Sequence, residues 1–120
     1  MTNPSILRDT KVRTSEFLLS EANGERSRDI GVLAPHVAAI QAGTVLGKVT
    51  ATSKLVPYSN AAADGSQTAV AILHAYQPIS TIDTKVTIFA RDCEVDALFL
   101  TGADAPALVE LAAAGIIVRS

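Results

Sequence analysis

The amino-acid sequence predicts a mainly β, small α+β domain: compact, sandwich or barrel-like, with one short C-terminal helix and a flexible N-terminal arm. Three observations lead there. Several short segments alternate apolar and polar residues with a period of two, clusters of turn-forming residues separate them, and only one stretch carries apolar residues at helical spacing. The 120 residues fit one domain, able to bury roughly two-thirds of the surface its unfolded form exposes.

Residues 1–14, MTNPSILRDTKVRT, combine a proline, few apolar side chains and a local excess of Arg8, Lys11 and Arg13 over Asp9. They are expected to form a mobile arm, leaving residues 15–120 as the β-rich domain. The following SEFLLSEANGERSRDIGVLAP predicts a strand over 17–20, a turn over 21–24 and an extended segment over 30–33, together a hairpin. In AGTVLGKVTAT, residues 42–52, Val45, Gly47 and Val49 fall on one face of an extended segment and Leu46 and Lys48 on the other. KLVPY, residues 54–58, ends near a proline that cannot donate to a ladder, so it is an edge or a strand end.

Asp64-Gly65 then turns the chain into AVAIL, where Val70 and Ile72 share one face and Ala69, Ala71, Leu73 and Ala75 the other. Two apolar faces predict a fully buried strand. Residues 85–91 alternate cleanly, with Val86, Ile88 and Ala90 on the inward side. The inward set beyond them is Cys93, Val95, Ala97 and Phe99, slipped by one residue, so a bulge or tight turn is expected near Arg91 and Asp92. The helix is ALVELAAAG: Pro106 suits its first turn, Leu108, Leu111 and Ala112 form its apolar stripe, and Gly115 stops it before a last strand over 116–119. The core is poor in rings, with only Phe17, Phe89, Phe99, Tyr58 and Tyr76 as aromatics, and must rest on many small aliphatic contacts.

Charge and chemistry exclude more than they suggest. A net charge of −2 with dispersed basic residues gives no footprint for nucleic acid or a membrane surface. No apolar run approaches the ~20 residues that cross a bilayer, and no signal-peptide pattern opens the chain, so synthesis in a cytoplasm is expected. Ala42, Gly47 and Lys48 satisfy the first part of a phosphate-loop pattern, but Val49 stands where a Ser or Thr should reach Mg²⁺ and a strand stands where a helix should begin. Gly43 and Gly47 are therefore expected to serve a turn and a close backbone approach. Asp64, Ser66 and His74 assemble a hydrolase triad only on paper, since no strained elbow holds the serine; Asp64-Gly65-Ser66 is turn chemistry. His36 and His74 have no further ligand at zinc spacing, and His74 is expected to be structural or at a subunit contact. Asp92, Glu94 and Asp96 alternate along a solvated strand face, and the lone Cys93 among them is an inert, half-buried thiol. No catalytic, cofactor or metal residue is assigned.

The order of motifs carries more than any one of them. AGTVLGKV, a Tyr-Ser-Asn segment, DGSQTAVAIL, a strand ending RDCEV and a final LAAAGIIVR together resemble the head decoration protein family of lambda-like phages, over about residues 15–119. The upstream EFLLSEANGERSRD fits its longer members. The classical lambda protein has a Pro- and Thr-rich N-terminal region without that segment, so arm contacts do not carry over residue by residue.

The resemblance implies a structural protein and not an enzyme. It would bind the outside of an expanded head as a homotrimer, cementing capsomers against internal DNA pressure. Its partners would be the major capsid protein and its own copies, with no cofactor, nucleic acid or membrane, and it would reside on the outer capsid surface of the virion. Arm residues Ser5, Ile6, Leu7 and Arg8, with Lys11 and Arg13, are the candidate capsid-binding set, because an extended segment can add a strand to an exposed sheet edge. Ordering such an arm costs about 1–2 kcal/mol per residue, and three arms on one trimer would recover affinity through effective concentration. Leu55, Val56, Pro57 and Tyr58, apolar near an expected edge, are the candidate trimer contact. The alternative from another class is a small β-barrel ligand-binding module or an enzyme subunit with its site between chains; a trimeric adhesin or fibre piece would show a repeat or shaft that this sequence lacks.

Overall fold

The computed structural model describes residues 17–21 and 27–119. Among these, eight strands form a closed five-stranded barrel and a separate three-stranded sheet, with one short helix packed between β-structure near the C-terminus. The strands are β1 (Leu18–Glu21), β2 (Arg28–Leu33), β3 (Val45–Lys48), β4 (Leu55–Pro57), β5 (Ala69–Leu73), β6 (Thr84–Phe89), β7 (Cys93–Asp96) and β8 (Ile116–Arg119); helix α1 is Ala105–Ala113. The barrel runs β2-β4-β3-β5-β6 and closes where β6 pairs antiparallel with β2, from Arg28 opposite Phe89 to Leu33 opposite Thr84. The second sheet is β1-β7-β8, β1 antiparallel and β8 parallel to the central strand.

Two cores follow from this division. Leu33, Leu46, Leu55, Ala71, Leu73, Val86 and Ile88, contributed by every barrel strand, fill the barrel interior. Phe17, Val45, Ile72, Phe89, Val95, Leu111 and Ile116 fill the space between the barrel wall, the second sheet and α1. Alternation along β3 sends Val45 to one core and Leu46 to the other; β5 has both faces covered as its apolar faces predict, but Val70 is only half-buried and packs with Ala71 and Leu73 on the barrel core, while Ala69 joins Ile72 in the second core. Phe89, at the end of β6, is the largest side chain joining the barrel to the second core; its ring meets Phe17 edge-on at 5.6 Å and 82°.

Four expectations are corrected. Residues 17–20 and 30–33 do not pair as a hairpin: β1 joins β7 in one sheet and β2 joins β6 in the other. The intervening residues 22–26, with most of the expected turn, lie outside the described residues. β4 is not an edge, because β2 and β3 flank it; only the strand-end half of that expectation holds, with Pro57 as its last residue. The expected strand over Cys93, Val95, Ala97 and Phe99 stops at Asp96, whose carboxylate accepts from Leu98 N at 2.9 Å and starts a 3₁₀ turn, Ala97–Phe99. Finally, the helix buries Ala107 and Leu111 while Leu108 and Ala112 face outward, so the stripe is rotated by about one position.

The one-residue slip has a physical cause. Asp92 adopts φ 53°, a left-handed corner between β6 and β7, and there the chain leaves the barrel for the second sheet. The helix start and stop also match the sequence: Asp104 caps through Ala107 N at 3.0 Å, Pro106 sits in the first turn and Gly115, φ 89°, ends it.

Candidate functional site

Each catalytic lookalike has a structural occupation. In the phosphate-loop lookalike, Gly43 N donates to Leu73 O at 2.9 Å, Thr44 N to Gln41 O at 3.2 Å and Val45 N to Thr101 O at 2.9 Å. A phosphate cradle needs such N–H groups turned toward the anion, and these are already committed. A Cβ on Gly47 would stand 2.7 Å from Ser66 Cα, which is the close backbone approach expected there.

The paper triad is not assembled. Asp64 Oδ1 accepts from Ser66 Oγ at 2.6 Å and Ser66 N at 3.0 Å, bonds that hold the Asp64 carboxyl below its ordinary range. Ser66 lies before β5 and His74 after it, so the length of that strand, roughly 13 Å at about 3.3 Å per residue, separates them. The turn itself explains the residues: Gly65 takes φ 112°, and a Cβ there would meet Lys48 O at 2.7 Å. Asp64 O accepts from Thr50 N at 2.9 Å, so this turn also pins the loop after β3.

The remaining ionisable groups are tied into the frame. His74 packs edge-on against Phe89 at 5.4 Å, and burial first, then nearby Arg28, lowers its pKa against an opposing effect of Glu21. His36 places Nδ1 2.9 Å from Ala34 O and Nε2 2.8 Å from Pro78 O, bridging two loops. Burial raises the Cys93 thiol to about 11, reinforced by Glu21 and Asp92, and the side chain is buried rather than half-buried. Glu94 pairs with Arg119 at 3.1 Å. Among the described residues no group of three or more His, Cys, Asp or Glu is placed to hold a metal ion, and no helix is long and apolar enough to cross a membrane.

Two side-chain clasps were not legible in the sequence. Arg28 donates to both carboxylate oxygens of Glu21, at 2.7 and 3.1 Å, and lies over the Phe89 ring at 5.2 Å, tying β1 of one sheet to β2 and β6 of the other. Tyr58 Oη donates to Asp104 Oδ1 at 2.9 Å and Asn60 Nδ2 to Asp104 Oδ2 at 2.8 Å. Burial and this bond raise the Tyr58 phenol to about 12.

Of the interaction residues expected from the sequence, Leu55 and Tyr58 are buried in the chain's own two cores, Val56 is half-buried and Pro57 is exposed. Leu55 and Tyr58 therefore present little side-chain surface to another copy, because the edge that would have exposed them is covered by β2 and β3. Ser5, Ile6, Leu7, Arg8, Lys11 and Arg13 lie outside the described residues. Exposed apolar side chains occur elsewhere, singly at Ile30, Leu98 and Val109 among others, and at Val37, Ile79 and Ile82 in the loops of residues 34–40 and 76–82. Periodicity offered no sign of the last three, since these loops belong to no regular element.

A scan of protein families matches residues 8–116 of the 120 to the family described as bacteriophage lambda head decoration protein D. No curated protein matches the chain.

Proposed function

We infer the role of this chain from one premise: it belongs to the bacteriophage lambda head decoration protein D family. It is a phage head decoration protein, and the family match over residues 8–116 is the observation that carries this reading. Beyond that, we propose that it binds the outer surface of the expanded head as a homotrimer and braces neighbouring capsomers against the pressure of packaged DNA. Its partners are then the major capsid protein and two further copies of itself. The work is mechanical and requires no catalysis, cofactor, nucleic-acid contact or membrane.

We assign attachment to the arm of residues 1–14, with Ser5, Ile6, Leu7 and Arg8 as an added strand and Lys11 and Arg13 as flanking charges. Two features support a division between arm and domain. The barrel is closed and offers no edge, whereas the second sheet ends on β1 and β8, and the arm precedes β1 in the chain. Phe17, just before β1, is fully buried, and its carbonyl accepts from Asp96 N at 2.7 Å, so the domain has a firm anchor at the root of the arm.

Co-sedimentation tests the proposal, using the full chain, a variant lacking residues 2–14, expanded undecorated heads and unexpanded proheads. The full chain should saturate expanded heads only, at three copies per local three-fold site. The truncated chain should remain a trimer and bind neither particle. Full decoration by the truncated protein would remove the arm from the assignment; absence of binding by the full chain to matched expanded heads would remove the role itself.

A further inference from the structure

We propose that the paired loops of residues 34–40 and 76–82 are the contact surface for a second copy of this chain. The inference rests on the homotrimer reading above and names the surface that would build it. The two loops are bound together as a rigid unit. His36 N donates to Ser80 O at 2.9 Å and Ser80 N to His36 O at 3.3 Å, while Ile40 and Gln77 exchange both backbone bonds at 2.8 Å. The His36 ring adds its bridge to Pro78 O, and Ser80 Oγ donates to Ile82 O at 2.9 Å, which fixes the next turn.

That rigid unit carries apolar side chains outward. Val37 and Ile79, each next to a residue of the His36–Ser80 bridge, have 93% and 61% of their surfaces exposed, and Ile82 is 71% exposed. β-branched side chains held in fixed backbone lose little entropy on docking, and their cover by a partner is favourable at about 25 cal/mol per Å².

Charge selects the occupant. The two loops, residues 34–40 and 76–82, contain no Asp, Glu, Lys or Arg, and Asp83, which follows Ile82, is already paired with Lys54 at 2.9 Å. Loops that carry no charge of their own meet their own copy without burying or opposing ions, and depletion of charge marks the centre of protein interfaces. Gln77, Ser80 and Thr81 supply an uncharged polar rim. In a ring of three, only loops at the three-fold axis meet their own counterparts, so we place these loops at that axis.

Sedimentation equilibrium on the full chain and on Val37→Asp/Ile79→Asp tests this, with Ile117→Asp on β8 as an exposed apolar control. The full chain and the control should be trimeric, and the double variant monomeric with an unchanged circular dichroism spectrum, its association weakened by about 100-fold or more. A double variant as trimeric as the parent would overturn the loop surface and leave the homotrimer standing. A parent chain that is monomeric at every concentration would defeat the homotrimer reading and this surface with it. Should the double variant fail to fold, hydrogen exchange on the parent decides: the Val37, Ala38 and Ile79 amides should slow about tenfold as concentration is raised through the association range, and unchanged rates would overturn the proposal.

Discussion

Phe89→Ala should remove the side chain that couples the barrel to the second sheet, and its cost can be worked from the structure. The ring is fully buried. It meets Phe17 edge-on at 5.6 Å and His74 at 5.4 Å, and the Arg28 guanidinium lies over it at 5.2 Å. Truncating a buried Phe to Ala costs about 3–5 kcal/mol, and the loss of several ring contacts places this site in the upper half of that range. With an unfolding entropy of roughly 2.1 cal/mol/K per residue, about 0.25 kcal/mol/K for a chain of this length, a loss of about 4 kcal/mol lowers Tm by roughly 16 °C. Calorimetry and denaturant titration at one protein concentration give both quantities, and equal concentration matters because the proposed self-association would stabilise the fold. Ile30→Ala, at a site 69% exposed, should stay within about 0.5 kcal/mol of the parent. A Phe89→Ala loss below about 1 kcal/mol would refute the claim that this ring joins the two cores.

The turn at Asp64-Gly65 should be equally intolerant for a different reason: Gly65→Ala forces φ 112° on a residue with a Cβ and drives it against Lys48 O, so a cost of about 2 kcal/mol is expected in the denaturant midpoint. A neutral substitution would mean that the turn is not the constraint it resembles. Stability should also have a plateau in pH. His74 is held below its ordinary 6.5, so the unfolded chain takes up its proton first and stability declines as pH falls beneath that value; Glu21 and Asp64, held below 4.5 and 3.8, add to the loss in stronger acid. Cys93 and Tyr58 are raised from 9.0 and 10.0 to about 11 and about 12, so the unfolded chain ionises first in alkali and stability falls above pH 9. Tm scanned from pH 4 to 11 should be highest between about 6.5 and 9, and a Tm that climbs from pH 9 to 11 would contradict the burial of these two groups.

Local chemistry was the legible part of the sequence. Pro106 and Gly115 marked the helix because a fixed proline φ and a left-handed stop are decided within a few residues, whereas the Asp104 cap came only with the structure. Two apolar faces marked β5, and the slip at Arg91 and Asp92 marked the corner between β6 and β7. Pairing was not legible, because β1 finds its partner in β7, more than seventy residues away, and nothing in residues 17–33 distinguishes that outcome from a hairpin. The edge assigned to Leu55 and Tyr58 failed for the same reason: whether a strand is an edge depends on its neighbours, and Leu33 covers Leu55 from a distant segment. The outward Val37, Ile79 and Ile82 had no periodic signal, and their exposure emerges only from the bridges that hold two irregular loops together.

On the proposed role, holding a pressurised shell would place a demand on the fold that binding alone does not. If the arm is the attachment, load enters the domain at Phe17, and the first resistance is the withdrawal of a fully buried ring stacked edge-on against Phe89. The next is the ladder between β1 and β7, and then the two-pronged bond from Arg28 to Glu21, which fastens the end of β1 to the barrel. These elements lie in series from the arm to the closed barrel, the unit without an edge to peel. Phe89 sits where the series meets the barrel wall, touching both Phe17 and Arg28. Weakening it should therefore leave initial attachment by the arm intact while lowering the force or temperature that a decorated head withstands. Attachment and endurance would then be separable properties, the first belonging to the arm and the second to the core.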